Sequence, residues 1–290
     1  MRFEFIKSQK KAWPIKLMCS VLNVSRSGYF SWLNRPASRT KLETERLKPL
    51  VVKIQEKHRS SCGSRRMAQK LVENGIKIGR YKAARLMKMA KAEFVPTKKF
   101  KVTTDSKHNL PVSPNLLKRN FDVEHPNQVW VSDITYLWSN QGWSYLAVIL
   151  DLANREVVGA ALKNTMDSSL IVEALNMAVW NKRPPAGLIF HSDRGSQYCS
   201  HEFRRLLAFY KMKSSMSRKG DCWDNAVAES FFASLKKEYI MRAVYHTREE
   251  LKSDVFRYIH MFYNCYRGHS YLDYKSPMQI ASNMHLKIAA

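Results

Sequence analysis

Three apolar segments, Gln128 to Leu137, Trp143 to Leu152 and Arg155 to Leu162, follow one another with very little chain between them, and no other feature restricts the fold as tightly. Ser139-Asn140-Gln141-Gly142 reads as one hairpin turn and Ala153-Asn154 as the next. A parallel crossover needs about a dozen residues or more, so these segments are expected to form an antiparallel meander. Downstream the period changes. Leu170, Ile171, Ala174, Met177 and Ala178 recur at helical spacing from Ser168 to Trp180, Pro184-Pro185 stops that helix, and Leu188-Ile189-Phe190 reads as a short buried parallel strand. A helix near Ser200 to Tyr210, a brief strand near Met212 to Met216, a loop through Gly220 and a helix from Asp224 to about Tyr239 follow. The order β-β-β-α-β-α-β-α predicts an α/β domain with a mixed five-stranded sheet, and a right-handed crossover lays the fourth strand beside the first.

The chain ahead of residue 120 has another character. Leu17, Met18, Val21 and Leu22 mark a short helix within Ile15 to Leu33, and Asn23-Val24-Ser25 looks like a turn capping a second one, a helix-turn-helix pattern or simply two packed amphipathic helices. After Pro36-Ala-Ser-Arg39, a longer helix carries Leu47, Leu50, Val51 and Ile54 and breaks at Ser60 to Ser64. Met67, Leu71 and Val72 mark the next helix, ended by Asn74-Gly75, and Tyr81, Ala84, Leu86 and Met87 mark another after Gly79. Residues 95 to 120 lose the helical period and gain Pro96, Pro111, Pro114 and the Lys98-Lys99-Phe-Lys101 cluster, the composition of a basic linker. The expected division is therefore a helical region over 1–95, a linker over 96–120 and the α/β domain over 121–290.

Charge follows the same division. The 290 residues carry 49 Lys and Arg against 24 Asp and Glu, a net charge of +25, but residues 1–120 hold 29 basic and 7 acidic side chains and residues 121–290 hold 20 and 17. A surplus of +22 in one region favours a polyanionic partner, with a charged membrane surface as the rival. Arg65, Arg66, Arg80, Lys82 and Arg85 decorate its helices as phosphate contacts would, although a solvated basic face gives the same pattern. Hydrophobic content of 45% excludes a chain disordered throughout. The five cysteines, Cys19, Cys62, Cys199, Cys222 and Cys265, form no Cys-x-x-Cys pair and read as reduced thiols. No segment has the apolar length of a signal peptide or a membrane span.

Asp133 interrupts an apolar strand on the face shared with Val129 and Val131, where an unpaired carboxylate is expensive and implies an edge, an ion pair or a metal. Asp193 ends the Leu188-Ile189-Phe190 strand, and Asp-x-Gly is also an ordinary turn. With the fourth strand beside the first, the two aspartates come within roughly 5 to 10 Å, close enough to repel unless a cation intervenes. Glu229 falls on the border of the helix stripe Ala228, Phe231, Phe232 and Leu235, with Lys236 within roughly 20° of it. Asp151, Asp221, Asp224 and Glu238 read as caps or solvated charges, and His191 and His269 as packing or orienting groups rather than proton carriers. Tyr263, Asn264 and Arg267 could touch nucleic acid, or could belong to a helix end that Gly268 closes.

Val-Trp-x-x-Asp-Ile-Thr-Tyr around Asp133, His-Ser-Asp-x-Gly-Ser-Gln-Tyr around Asp193, and Gly-Asp-Cys-Trp-Asp-Asn-Ala-x-Ala-Glu-Ser-Phe-Phe around Glu229, with 35 residues between the last two acids, resemble insertion-sequence DDE transposases of the IS-3 family. Residues 40–95 resemble the helix-turn-helix region of that family, and the tail from Tyr263 to Ser270 with Ser276-Pro277 extends the match across nearly the whole chain. The resemblance implies a ribonuclease H-like catalytic domain preceded by an all-α helix-turn-helix region. It also implies a polynucleotidyl transferase with Asp133, Asp193 and Glu229 holding two Mg²⁺ ions, Mn²⁺ being the substitute metal. Water would make the first nick, the freed 3′-hydroxyl would attack the second strand, and Lys236 would contact phosphate nearby. DNA, both element ends and target, would be the partner of a homo-oligomer in the bacterial cytoplasm at the nucleoid, without a membrane. No heptad zipper is present, so the chain resembles the downstream reading-frame product, with the upstream-frame product as a further partner. The rival readings are a catalytically inactive regulator that binds DNA and a retroviral-type integrase, although no His-His-Cys-Cys spacing precedes residue 120.

Overall fold

The computed structural model describes residues 1–92, 94, 111–118, 120–218 and 225–289. Most of the expected linker, together with Gly220, Asp221, Cys222 and Asp224, lies outside the described residues. The helical region comprises α1 (Arg2–Gln9), α2 (Ile15–Val21), α3 (Arg26–Leu33), α4 (Arg39–Lys57), α5 (Ser64–Glu73) and α6 (Arg80–Met89). The α2–α3 turn is built as its sequence suggests: Asn23 takes a positive φ of 52°, and the Ser25 hydroxyl accepts the Gly28 amide at 2.9 Å. Leu47, Val51 and Ile54 of α4 share one small core with Met67 and Leu71 of α5 and Leu86 of α6.

The α/β region runs β1 (Val129–Ser139), β2 (Gly142–Asp151), β3 (Val157–Lys163), α7 (Ser168–Lys182), β4 (Ile189–Ser192), α8 (Ser196–Cys199), α9 (His201–Phe209), β5 (Lys213–Met216), α10 (Ala226–Glu238), α11 (Arg248–Arg257) and α12 (Pro277–Ala289). A π-helical turn, Tyr258–Tyr263, continues α11. The sheet order is β3-β2-β1-β4-β5, with β1–β2 and β2–β3 antiparallel and β1–β4 and β4–β5 parallel. The expected meander, and the fourth strand beside the first, are both present. The short helix α8 and the helices after Tyr239 were not foreseen from the pattern.

Alternation along the strands loads both faces. Trp130, Ala147, Ile149 and Val158 pack under α7 and α9, whereas Val131, Leu146, Val148 and Leu150 pack under α10, α11 and the π-helical turn. Where β3 passes α7 there is no room for a side chain: a Cβ on Gly159 would stand 2.2 Å from the Ala174 carbonyl oxygen. Gly159→Ala is therefore expected to cost about 1 to 3 kcal/mol or more, read as a lowered urea midpoint.

The helical region docks on this second layer through charge. Arg59 forks onto Asp254 at 2.8 and 2.9 Å, and its guanidinium lies 3.5 Å from the centre of the Tyr239 ring. Lys70 donates to the Tyr266 carbonyl at 2.8 Å, and Arg66 reaches Glu238 at 2.8 Å. His58 is buried against Phe262 and Tyr266.

Candidate active site

The parallel ladder between β1 and β4 ends at the pair Ser132 and Ser192. Asp133 and Asp193 are each the next residue along, so they start from neighbouring strands at one level, with a strand spacing of about 4.8 Å. Asp193 is fixed by its own turn, its Oδ1 accepting the Gly195 amide at 2.9 Å. Behind this point, Ser132 Oγ and Tyr198 OH share a buried hydrogen bond of 2.8 Å. Asn225, at the N-cap of α10, donates from Nδ2 to the Ser132 carbonyl at 3.2 Å, which ties the start of α10 to the strand residue preceding Asp133. Ala228, Phe231, Phe232 and Leu235 then bury the stripe of α10 against the sheet, leaving Glu229 exposed one turn from the helix start.

Electrostatics shows that the three acids share one region. Burial pushes the Asp133 carboxyl well above its ordinary range, and the charges of Asp193 and then Glu229 push it further; the Ile134 amide and Lys236 act in the opposite direction. Partial desolvation by the neighbouring chain also raises Glu229, although the residue stays exposed. Lys236 is only 7% exposed, and burial lowers its pKa to about 8 against the pull of Asp133. Asp133 keeps part of its surface open to solvent, so an ion could reach it. Carboxylate oxygens that repel one another at a solvent-accessible point of the sheet are the donor set for a hard divalent cation. Among the described residues no three His, Cys, Asp or Glu side chains yet stand close enough together to enclose one.

The remaining candidates divide sharply. Glu238, expected to be solvated, is buried: Arg267 holds both its oxygens at 2.6 and 2.7 Å and Arg66 a third contact, so its pKa falls to about 2. Glu238 is not solvated because the face of α10 opposite Glu229 is covered by the tail, through Arg267, and by α5, through Arg66. Asp151 is buried as a turn cap, accepting the Asn127 and Ala153 amides. His191 is buried between the hydroxyls of Ser215 (2.8 Å) and Ser217 (3.2 Å). Asn264 bonds both backbone groups of Val157 at 3.0 Å, and Tyr263 and Arg267 are buried, so this trio builds the core rather than a nucleic-acid contact. Of the basic residues singled out, Arg66 is paired with Glu238 and Lys82 with Glu43 at 2.9 Å, while Arg65, Arg80 and Arg85 are exposed. Sequence reasoning missed Ser132, Tyr198 and Asn225 as positioning residues; their only signal was that they stood inside the three motifs around the acids. Cys19, Cys62 and Cys199 are buried free thiols and Cys265 an exposed one. No described helix is long and apolar enough to cross a membrane.

Comparison with known proteins bears on this site. Integrase core domain models match residues 123–222 and 229–284, and an HTH-like domain model matches residues 42–100. The chain is 45% identical to the insertion element IS600 uncharacterized 31 kDa protein of Shigella sonnei, over 92% of this chain and 98% of that one. It is 37% identical to the transposase InsF for insertion sequence IS3A of Escherichia coli, over 96% of this chain and 98% of that one. Among solved structures, the HTLV-2 integrase catalytic core domain in complex with magnesium aligns at 20% identity and a TM-score of 0.42, covering 53% of this chain and 96% of that one. With two integrase-core matches around the acids, an HTH-like match ahead of them and relatives aligned nearly end to end, the chain belongs to the IS-3 family of insertion-sequence transposases.

Proposed function

We propose that this transposase cuts and joins DNA in the middle of the sheet, where Asp133, part-way along β1, stands beside Asp193 just past the end of the parallel strand β4 and Glu229 faces them from α10. The observation that carries the reading is the placement of Asp133 and Asp193 one residue past the paired Ser132 and Ser192 on adjacent parallel strands; burial first, and then the charges of Asp193 and Glu229, raise the Asp133 carboxyl in a region still partly open to solvent. Asp133, Asp193 and Glu229 would hold two divalent cations, Mg²⁺ or Mn²⁺, whose chemistry is to polarise the phosphoryl group and stabilise the departing oxygen. The reaction is an in-line displacement: the oxygen of water bonds to phosphorus, the P–O3′ bond breaks with its electron pair on O3′, the water proton leaves to solvent and O3′ takes a proton from solvent to become a 3′-hydroxyl. In strand transfer the freed 3′-hydroxyl takes the place of water at a target phosphodiester. Lys236, beside Asp133 and titrating near 8, supplies positive charge at neutral pH for phosphate next to the acids.

Residues 1–95 grip DNA, residues 96–120 link, and residues 121–290 carry the chemistry. Of the basic set, Arg65, Arg80 and Arg85 are the free phosphate contacts. Element ends and target DNA are the substrates, a homo-oligomer on DNA is the working form, with the upstream-frame product as a further partner, and the nucleoid is the place of action. The test is Mg²⁺-dependent cleavage of element-end DNA by the native chain and by Asp193→Ala. Product from the native chain alone is expected; equal product from both removes Asp193 from the mechanism.

A further inference from the structure

A cleft of about 740 Å³ opens between α5, α6 and a side of α10 that does not carry the acids. Ser230 and Ser234 line it, and they lie roughly 100° to 140° around the helix from Glu229. Five guanidiniums reach its wall, from Arg65, Arg66, Arg80, Arg155 and Arg267, and none of the described lining residues is acidic. Glu238, behind the wall, pairs with both Arg66 and Arg267. One carboxylate against five guanidiniums leaves a net positive wall, in which Arg65, Arg80 and Arg155 have no carboxylate partner among the described residues.

Arg155 is the informative one. It is only 6% exposed, its Nη2 donates to the Phe121 carbonyl at 3.2 Å, and its guanidinium lies 4.2 Å from the Tyr271 ring centre. Its Nη1 has no hydrogen-bond partner among the described residues. A buried charged donor without an acceptor is costly, and so implies an acceptor brought by a ligand. Three helix starts also line the cleft, at Ser64 of α5, Arg80 of α6 and Ala226 of α10, and none of the three has a side-chain cap. Uncapped amides at positive helix ends bind anions. Burial and then the charges of Arg267, Arg66 and Arg155 drive the His269 pKa down to about 2, as expected of a site with positive potential.

We propose that this cleft is a second phosphate site, which grips the sugar–phosphate backbone of a DNA strand away from the carboxylates, with Arg155, Arg65 and Arg80 as its contacts. It rests on the reading that the chain acts on DNA. The exposed ring of Tyr271 stands beside Arg155 for a base to stack upon. The test is binding of the full chain to fluorescein-labelled DNA over a salt series without divalent metal. Arg155→Gln is expected to bind roughly tenfold more weakly at low salt and to flatten the slope of log K against log salt by about 0.7 to 0.9. Arg65→Gln combined with Arg80→Gln, both at exposed positions, is expected to flatten it by about twice that and decides the matter if Arg155→Gln melts early. Native slopes in both variants overturn the site, even where the native chain cleaves DNA. Flattened slopes in a chain that binds but never cleaves keep the site and remove the cutting mechanism. Displacement of the strand by thymidine monophosphate, dependent on Arg155, would make this a nucleotide pocket and overturn the strand assignment.

Discussion

Asp133→Asn is expected to lower Mg²⁺-dependent DNA cleavage by about 10³-fold or more and to leave the chain folded. The two side chains have the same shape, so neither the β1–β2 register nor the Ile134 amide contact at 2.8 Å has reason to change. What changes is charge. Asparagine removes the member of the acid trio that burial and its neighbours destabilise most, and with it the anionic oxygen a hard cation needs. Lewis-acid stabilisation is worth several kcal/mol, and each 1.36 kcal/mol is tenfold in rate, hence the size of the loss. Single-turnover cleavage measures it. Thermal melts give an independent readout: Mg²⁺ is expected to raise the Tm of the native chain, because binding to the folded state stabilises it, and to have little effect on the variant. Native-like cleavage by Asp133→Asn would show that this carboxylate is not a ligand.

Much of the framework was legible because it depends on local spacing. The connections after Leu137 and Leu152 are too short for anything but antiparallel pairing, and that alone places Asp133 on one face of the sheet. The stripe of α10 was legible for the same reason, since Ala228, Phe231, Phe232 and Leu235 repeat at helical spacing and all four are buried. Glu238 was not. A helical wheel says on which side a residue stands but not what other segment covers that side, and its partners Arg66 and Arg267 come from distant parts of the chain. Lys236 was placed near the acids by its spacing from Glu229, yet its burial depends on packing that spacing does not report.

Counting charges has the same weakness, because a sum is blind to pairing. Part of the +22 surplus ahead of residue 120 does not face a partner at all. Arg59 and Arg66 are committed to Asp254 and Glu238 on the catalytic side, and Lys70 to a carbonyl there. The basic region is thus held on the nearly neutral one by some of the charge that marks it as basic. Arg65, Arg80 and Arg85 stay exposed, and on the proposed function they are the ones that remain for phosphate.

Glu238→Gln should therefore be the most destabilising single substitution in the docking surface, at about 3 to 5 kcal/mol. It leaves the Arg267 guanidinium buried without a counter-charge and releases Arg66, so the loss comes from uncompensated charge as well as from missing hydrogen bonds. The native pair also fixes the pH dependence. Glu238 has its folded pKa lowered from 4.5 to about 2, so its contribution is complete above about 4.5 and disappears as pH falls toward 2. His58, facing it across the interface, is buried neutral, its pKa lowered from 6.5 to about 3 by burial first and then by Arg66. His269, beside Arg267, is lowered to about 2. In the unfolded chain both histidines take up protons below about 6.5, so they also remove stability as pH falls, beginning higher than Glu238 does. Urea midpoints measured from pH 7 to pH 3 are expected to fall for the native chain in two overlapping stages. The glutamine variant should start lower and keep the histidine stage while losing most of the stage below 4.5. A variant with the native midpoint at pH 7 would mean that Arg66 and Arg267 find other acceptors, and that the Glu238 carboxylate does not hold the helical region to the core.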